Sequence, residues 1–365
     1  DTRAQWEYQR PIIQANRIEW GDRVMHPFIA PPVLGVAVMP LLVFSPSVAY
    51  LIWAALNAVA VATGLWLLAR RLLLHWSVPL VVVAGSMPLF MVIMLGQVEG
   101  LLFLAFVIVI LQLQSGHQVR AGLALVLFVI KPPLLLAPLL YLTLTGQRRA
   151  AWTTVVGAGT LALSSMLLVG VKGINDFVAL SQRLSGPDGS VVTNVWGMVN
   201  IRSVVVRALP ADEGLLIDVM IVVLTGATLA ATGWFWRRSG VDAVGLPSVA
   251  LLAVTTVLTA YHALYHATIL ALLAVVLMAA HAIHGGEPRR SDWFVASSWA
   301  VFSVLPLVMF VIVQSSKAPA AIGVAGLMLL WGFAAGAVAQ EAVEAETASQ
   351  PARTDLRPWY VILRD

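Results

Sequence analysis

The sequence predicts an all-α fold: a polytopic bundle of transmembrane helices with short broken or re-entrant pieces and an external loop region. Three observations carry this. Hydrophobic residues make up 60% of the 365 residues and charged residues only 11%, against about 25% charged in a soluble domain. Apolar runs near the ~20 residues needed to cross a bilayer recur along the chain. Arginine pairs mark alternate connections, the pattern that fixes orientation in membrane proteins.

The elements follow in order. Residues 1–30 are polar and aromatic and do not span. Residues 31–44 are apolar but short and carry Pro40, which predicts a half-helix or an interfacial helix. Spans are predicted at 46–69, 77–95, 98–113, 150–170, 214–236, 243–260, 264–283, 293–314 and 318–338. The domain organisation is then an external segment (1–45), a bundle (46–338) with an external loop at 171–213, and a cytoplasmic tail (339–365) expected to be disordered for much of its length. The chain starts at Asp1 without methionine or signal peptide, and an upstream first span is expected. It has no cysteine, which excludes disulfides, thiolate metal sites and cysteine nucleophiles. The net charge of +4 is scattered beside apolar runs, so nucleic acid is not an expected partner.

Orientation comes from the short loops. Arg70 and Arg71, Arg120, Arg148 and Arg149, Arg237 and Arg238, and Arg289 and Arg290 mark one side. The short loops of the other side hold only Lys317. The arginine side is therefore cytoplasmic. This works only if 119–145 starts and ends there, since Arg120 and Arg148 flank it. The segment is "LVLFVIKPPLLLAPLLYL" at its centre (125–142). Its arms should run out and back, with Lys131, Pro132 and Pro133 at the turn. Arms of 12 to 14 residues give only about 20 Å of helix, so Lys131 falls within the outer half of a ~30 Å hydrocarbon layer. A lysine there must be buried in protein or face a wet cavity.

The unusual polar residues gather on that outer side. Gln97 and Glu99 lie in "GQVEG", and "YHALYH" supplies His262, Tyr265 and His266. The external loop carries Asp176, Asp188, Asn194, Trp196, Asn200, Arg202 and Arg207, and the N-terminal segment Glu7, Glu19, Asp22 and His26. Lysine and arginine suit phosphate, and a carboxylate can take a hydroxyl proton. The plain readings are set beside these. Gln97 could only cap a turn, Glu99 is expected to be solvated, and Asn200 and Arg202 could be ordinary loop residues. His262 and His266, spaced i, i+4, are expected on one helix face. No further ligand lies near them, so no metal is expected, and no cofactor.

At these residues the chain resembles a known family. "HPFIAPPVLGVAVMPLLVFSPSVAYLIWAALN" (26–57), "GQVEGLLFLAF" (96–106), "RAGLALVLFVIKPPLLLAPLLYL" (120–142) and "YHALYHATILALL" (261–273) resemble, in that order, segments of glycosyltransferase family 87. These are GT-C-type membrane enzymes that include actinobacterial polyprenol-phosphate-mannose-dependent mannosyltransferases. His262 and Tyr265 match a late motif, and His266 stands where some members carry Asp. The resemblance implies inverting transfer of a mannose-like hexose from a polyprenyl-phosphate donor to a lipid or polysaccharide acceptor. It places this on the outer face of a bacterial plasma membrane, among membrane lipids. It also implies an acidic base in the first external loop, expected upstream of Asp1. Glu19 and Asp22 are the candidates within this chain, though neither fits the motif well. Lys131, Gln97, His262, His266, Tyr265, Asn200 and Arg202 are the expected substrate-binding residues. A flippase of lipid-linked sugars is the alternative, since broken helices and a buried lysine suit that class too.

Overall fold

Prolines and arginines set the helix ends. A computed structural model describes residues 31–185, 197–210, 213–238, 244–284, 297, 299–313 and 317–348. The helices are α1 (Pro32–Val38), α2 (Pro46–Arg71), α3 (Ser77–Ala84), α4 (Met87–Met94), α5 (Glu99–Gln114), α6 (Gln118–Leu125), α7 (Leu136–Leu144), α8 (Arg148–Ser185), α9 (Ile201–Ala208), α10 (Gly214–Arg238), α11 (Leu246–Thr259), α12 (Ile269–His284), α13 (Leu305–Val313) and α14 (Lys317–Ala348). Proline occupies the first turn of α1, α2, α4 and α11, where its missing N–H has no helical partner to lose. Arginine pairs close α2 and α10, where cations meet the negative end of the helix dipole.

Among the described residues five helices are long and apolar enough to cross a membrane, or six with α3 and α4 counted as one bent span. The chain is an all-α, multi-pass membrane protein. The span that runs from Tyr265 through α12 is 78% buried, whereas that of α10 is 6% buried. The first is therefore the centre of the bundle, and α10 turns its apolar side chains outward as a lipid-facing helix does.

Several elements differ from expectation. The span expected at 77–95 is two helices meeting at 64°. Ser86 caps the second, its hydroxyl accepting from the Leu89 N–H at 3.4 Å, and Pro88 opens that helix. The helix from Arg148 does not stop at residue 170. It is broken there by Gly170, whose φ of 70° suits glycine, and resumes to Ser185. The expected external loop therefore begins as helix. The first part of the tail is helical to Ala348, because its alanine- and glutamate-rich sequence favours helix, and the rest, 349–365, lies outside the described residues. Of the span expected at 293–314, residues 293–296, 298 and 314 lie outside the described residues, and within the rest a π turn (Ala300–Val304) is followed by α13.

Contacts sort the helix ends into two groups. At the end that carries the arginine pairs, Gln118 Oε1 accepts from the Arg149 N–H at 3.1 Å and Gln114 Nε2 donates to Val244 O at 3.3 Å. There too His284 Nε2 donates to Leu72 O at 2.7 Å. The 118–149 bond brings together the two ends of the lysine segment. Its first arm lies against α8, with Thr154 Oγ1 donating to Gly122 O at 3.3 Å. A Cβ on Gly122 would lie 2.5 Å from Ala150 O, so only glycine allows this approach. The arm leads from the arginine end to Lys131, and α7 leads back.

Candidate active site

The opposite end of the bundle is built from three connections. The first is the glycine–glutamine turn. α4 ends on Gly96 at φ 59°. Its terminal carbonyls are met by the Gln97 N–H on Val92 O (3.0 Å) and the Gly96 N–H on Ile93 O (3.2 Å), a left-handed glycine cap. The start of α2 fastens this turn. Tyr50 donates its hydroxyl to Ile93 O at 2.7 Å, and Trp53 Nε1 donates to Gly96 O at 2.8 Å. α5 then starts at Glu99.

The second connection is the lysine turn. Residues before proline avoid the α region, and Lys131 is extended at φ −131°, ψ 77° between two 3₁₀ stretches, Val126–Ile130 and Pro132–Leu135. The prolines leave no orphan donors. Lys131 Nζ donates to Gln97 Oε1 at 3.1 Å and to the Glu99 carboxylate. His266 Nδ1 stands 2.6 Å from Glu99 Oε1. The side chains of Glu99 and His266 are 0% and 6% exposed, and that of Lys131 is 25% exposed. Of the three ionisable groups the lysine is thus the one whose side chain reaches the surface, and Gln97 beside it is half-buried.

The third connection joins the segment that leads into α9 to residues 260–265. Asn200 is fully buried. Its Nδ2 donates to Ala260 O at 2.7 Å and Tyr261 O at 3.2 Å, and its Oδ1 accepts from the Ser203 N–H at 3.0 Å. It thereby caps α9 and ties that segment to the bundle. The Val199 N–H adds a bond to Ala263 O at 2.7 Å, and Met198 bridges Leu264. Arg202 stacks on Tyr261, 4.1 Å from the ring centroid, and its Nη1 donates to His262 Nδ1 at 3.3 Å. Arg207 Nη2 donates to Met198 O at 3.2 Å. Asn200→Ala should remove the cap and leave the buried Ala260 carbonyl and the half-buried Tyr261 carbonyl short of a donor, lowering stability by about 1–3 kcal/mol. Thermal unfolding of the purified protein in detergent measures this, and a midpoint equal to wild type contradicts it.

Residues 260–264 are not helical, so His262 and His266 do not share the helix face that their spacing suggested. The bridge to Met198 holds the backbone extended, and a pairing from elsewhere in the chain overrides the local periodicity. His262 turns to Arg202 and His266 to Glu99. Burial, then the adjacent Arg202 charge, hold the His262 imidazole down to about 4 from 6.5. Between those values the unfolded chain takes up a proton and the folded chain does not. Stability that is full above pH 6.5 is therefore lost as the pH falls towards 4. Thermal midpoints across this range should fall for wild type and fall less for His262→Gln. Equal slopes would refute the assignment.

Tyr265 is 1% exposed, its hydroxyl packed so close to Gly323 that any Cβ there would overlap it. Of the expected binding residues, Lys131, Gln97 and His266 come together at one point, and Arg202 and His262 at a second. Asn200 and Tyr265 are buried within the fold. Glu19, Asp22, Asp188, Asn194 and Trp196 lie outside the described residues. No group of three or more histidine or acidic residues that could hold a metal occurs among the described residues.

Glu99, expected to be solvated, is instead wholly buried at the junction of Lys131 and His266. The sequence does carry a signal for it, because no other Asp or Glu occurs between residues 23 and 175. A lysine deep in an apolar hairpin needs an anion, and Glu99 is the one that this stretch provides.

The family model of glycosyltransferase family 87 matches residues 28–258, which hold the glycine–glutamine turn, the lysine hairpin and Arg202. No curated protein and no solved structure matches the chain. The match spans more than half of the sequence, and the connections that meet at Lys131 fall inside it; the chain belongs to glycosyltransferase family 87 and is a membrane glycosyltransferase.

Proposed function

We propose that the protein moves a mannose-like hexose from a polyprenyl-phosphate donor to a lipid or polysaccharide acceptor on the outer face of a bacterial plasma membrane. The observation that carries this reading is Lys131, its side chain partly exposed and its ammonium held by Gln97 and Glu99 at the end of the bundle remote from the arginine pairs. A lipid phosphate at the outer interface lies at the depth that this hairpin reaches, and a cation there meets it without entering bulk water. The family membership supports sugar transfer as the chemistry.

The reaction is an inverting displacement at the anomeric carbon. A carboxylate takes the acceptor hydroxyl proton, the hydroxyl oxygen bonds to the anomeric carbon, and the bond from that carbon to the phosphate oxygen breaks. The electron pair leaves with the phosphate, which gains a negative charge. Lys131 offsets that charge, and charge offset that grows along the reaction path is what lowers a barrier. Arg202, buried, stacked on Tyr261 and bonded to His262, is a second cation, at the third connection of that end. Glu19 and Asp22 are the acidic residues of this chain that we assign as candidates for the base.

The test supplies purified protein in detergent with a radiolabelled polyprenyl-phosphate sugar and a lipid acceptor. Label appearing in the acceptor supports a transferase, because a flippase has no sidedness to use in detergent. No transfer from any polyprenyl-phosphate donor, together with movement of such lipids across vesicles, would replace this reading with the flippase.

A further inference from the structure

We propose that Glu99 is a positioning residue: it holds the Lys131 ammonium at the surface and offsets part of its charge, so that the lysine grips the leaving phosphate without retaining it. The inference deepens the transferase reading and rests on it.

Four observations lead there. Glu99 is fully buried, and a single oxygen, Oε1, serves both Lys131 and His266. The other oxygen, Oε2, is buried with no hydrogen-bond partner. An ion pair serving stability alone would satisfy both oxygens, since an unpaired buried acceptor costs the fold. The backbone beneath Glu99 is fixed as well. Gly100 packs against Asn57 so closely that a Cβ would lie 2.6 Å from Asn57 Oδ1 and 2.8 Å from Asn57 O. Lastly, exposure falls off from Lys131 to His266 to Glu99. A ligand thus meets the lysine, while the carboxylate acts only through it.

A charge offset has a consequence that packing does not. Glu99→Gln keeps the shape and one acceptor oxygen but removes the anion. The lysine then loses its fixed direction while its charge is no longer balanced. Turnover should fall about tenfold or more. Inhibition by the product, assayed with a short-chain polyprenyl monophosphate, should tighten about threefold or more. A merely structural role would lower activity in step with folded protein and leave that inhibition unchanged or weaker.

The experiment uses the full chain in detergent. It measures kcat, the inhibition constant of the monophosphate, and direct binding of the same monophosphate by tryptophan fluorescence. Slower turnover with tighter binding supports the inference. Wild-type kcat in Glu99→Gln, or slower turnover with unchanged binding, overturns it. If Glu99→Gln does not fold, Glu99→Asp keeps the charge but draws the carboxylate back by one methylene. Its kcat should fall while monophosphate binding stays within about twofold of wild type, and a wild-type kcat there overturns the inference. Failure of the wild type to transfer sugar counts against the transferase reading instead. The binding comparison still decides for or against the charge offset in that event.

Discussion

Lys131→Met should lower sugar transfer about 10²–10³-fold, the usual loss when one group that stabilises developing charge is removed. The methionine preserves the apolar stem and deletes only the ammonium. Stability should fall as well. Glu99 would keep His266 but lose its cation, and breaking a buried pair by removing one partner costs about 3–5 kcal/mol. The loss here should be smaller, because the lysine side chain is 25% exposed and water screens what it reaches. Lys131→Met combined with Glu99→Gln separates the two effects. The double variant should regain much of the lost stability, since no unpaired charge remains, and should stay inactive. Initial rates and thermal midpoints in detergent measure both. A Lys131→Met protein that transfers sugar within threefold of wild type would end the assignment of this lysine to the phosphate.

The features legible in the sequence are those set by local chemistry. Proline at positions 32, 46, 88 and 247 marks helix starts because a missing N–H is harmless only there. Arg70 and Arg71 mark the end of α2. The lysine segment is legible as two arms, because one span of that length would have reversed every later arginine pair. Features set by contacts across the chain were not legible. The extended backbone at 260–264 depends on Met198 and Val199, some sixty residues earlier. The helical spacing of His262 and His266 therefore pointed the wrong way. The burial of Glu99 depends on α2 closing over Gly100, and "GQVEG" alone reads equally well as a solvated turn. Asn200 shows the same limit. A polar loop residue is a reasonable ligand for a substrate until its three hydrogen bonds to the chain are seen.

The approach of α2 and α5 at Gly100 predicts a second large effect. Apolar helices in lipid gain little from burying more apolar surface, and they associate closely where small residues let backbones approach. At Gly100 a Cβ would meet Asn57 Oδ1 at 2.6 Å, Asn57 O at 2.8 Å and Asn57 Cβ at 2.9 Å. The backbone carbonyl cannot rotate away, so the helices must part. Overpacking of this kind costs about 1–3 kcal/mol. The shift also carries Glu99, the adjacent residue, away from Lys131. Gly100→Ala should therefore lower both the unfolding midpoint and the rate of transfer, and Gly100→Val should lower both further. Gly85 provides the control, since a Cβ there meets nothing within 4 Å, and Gly85→Ala should change neither quantity by much. Asn57→Ala in the Gly100→Ala background should recover only part of the loss, because it removes the side-chain oxygen and leaves the carbonyl in place. If Gly100→Ala matched Gly85→Ala in both measurements, the close approach of these helices would not be what holds the carboxylate under the lysine.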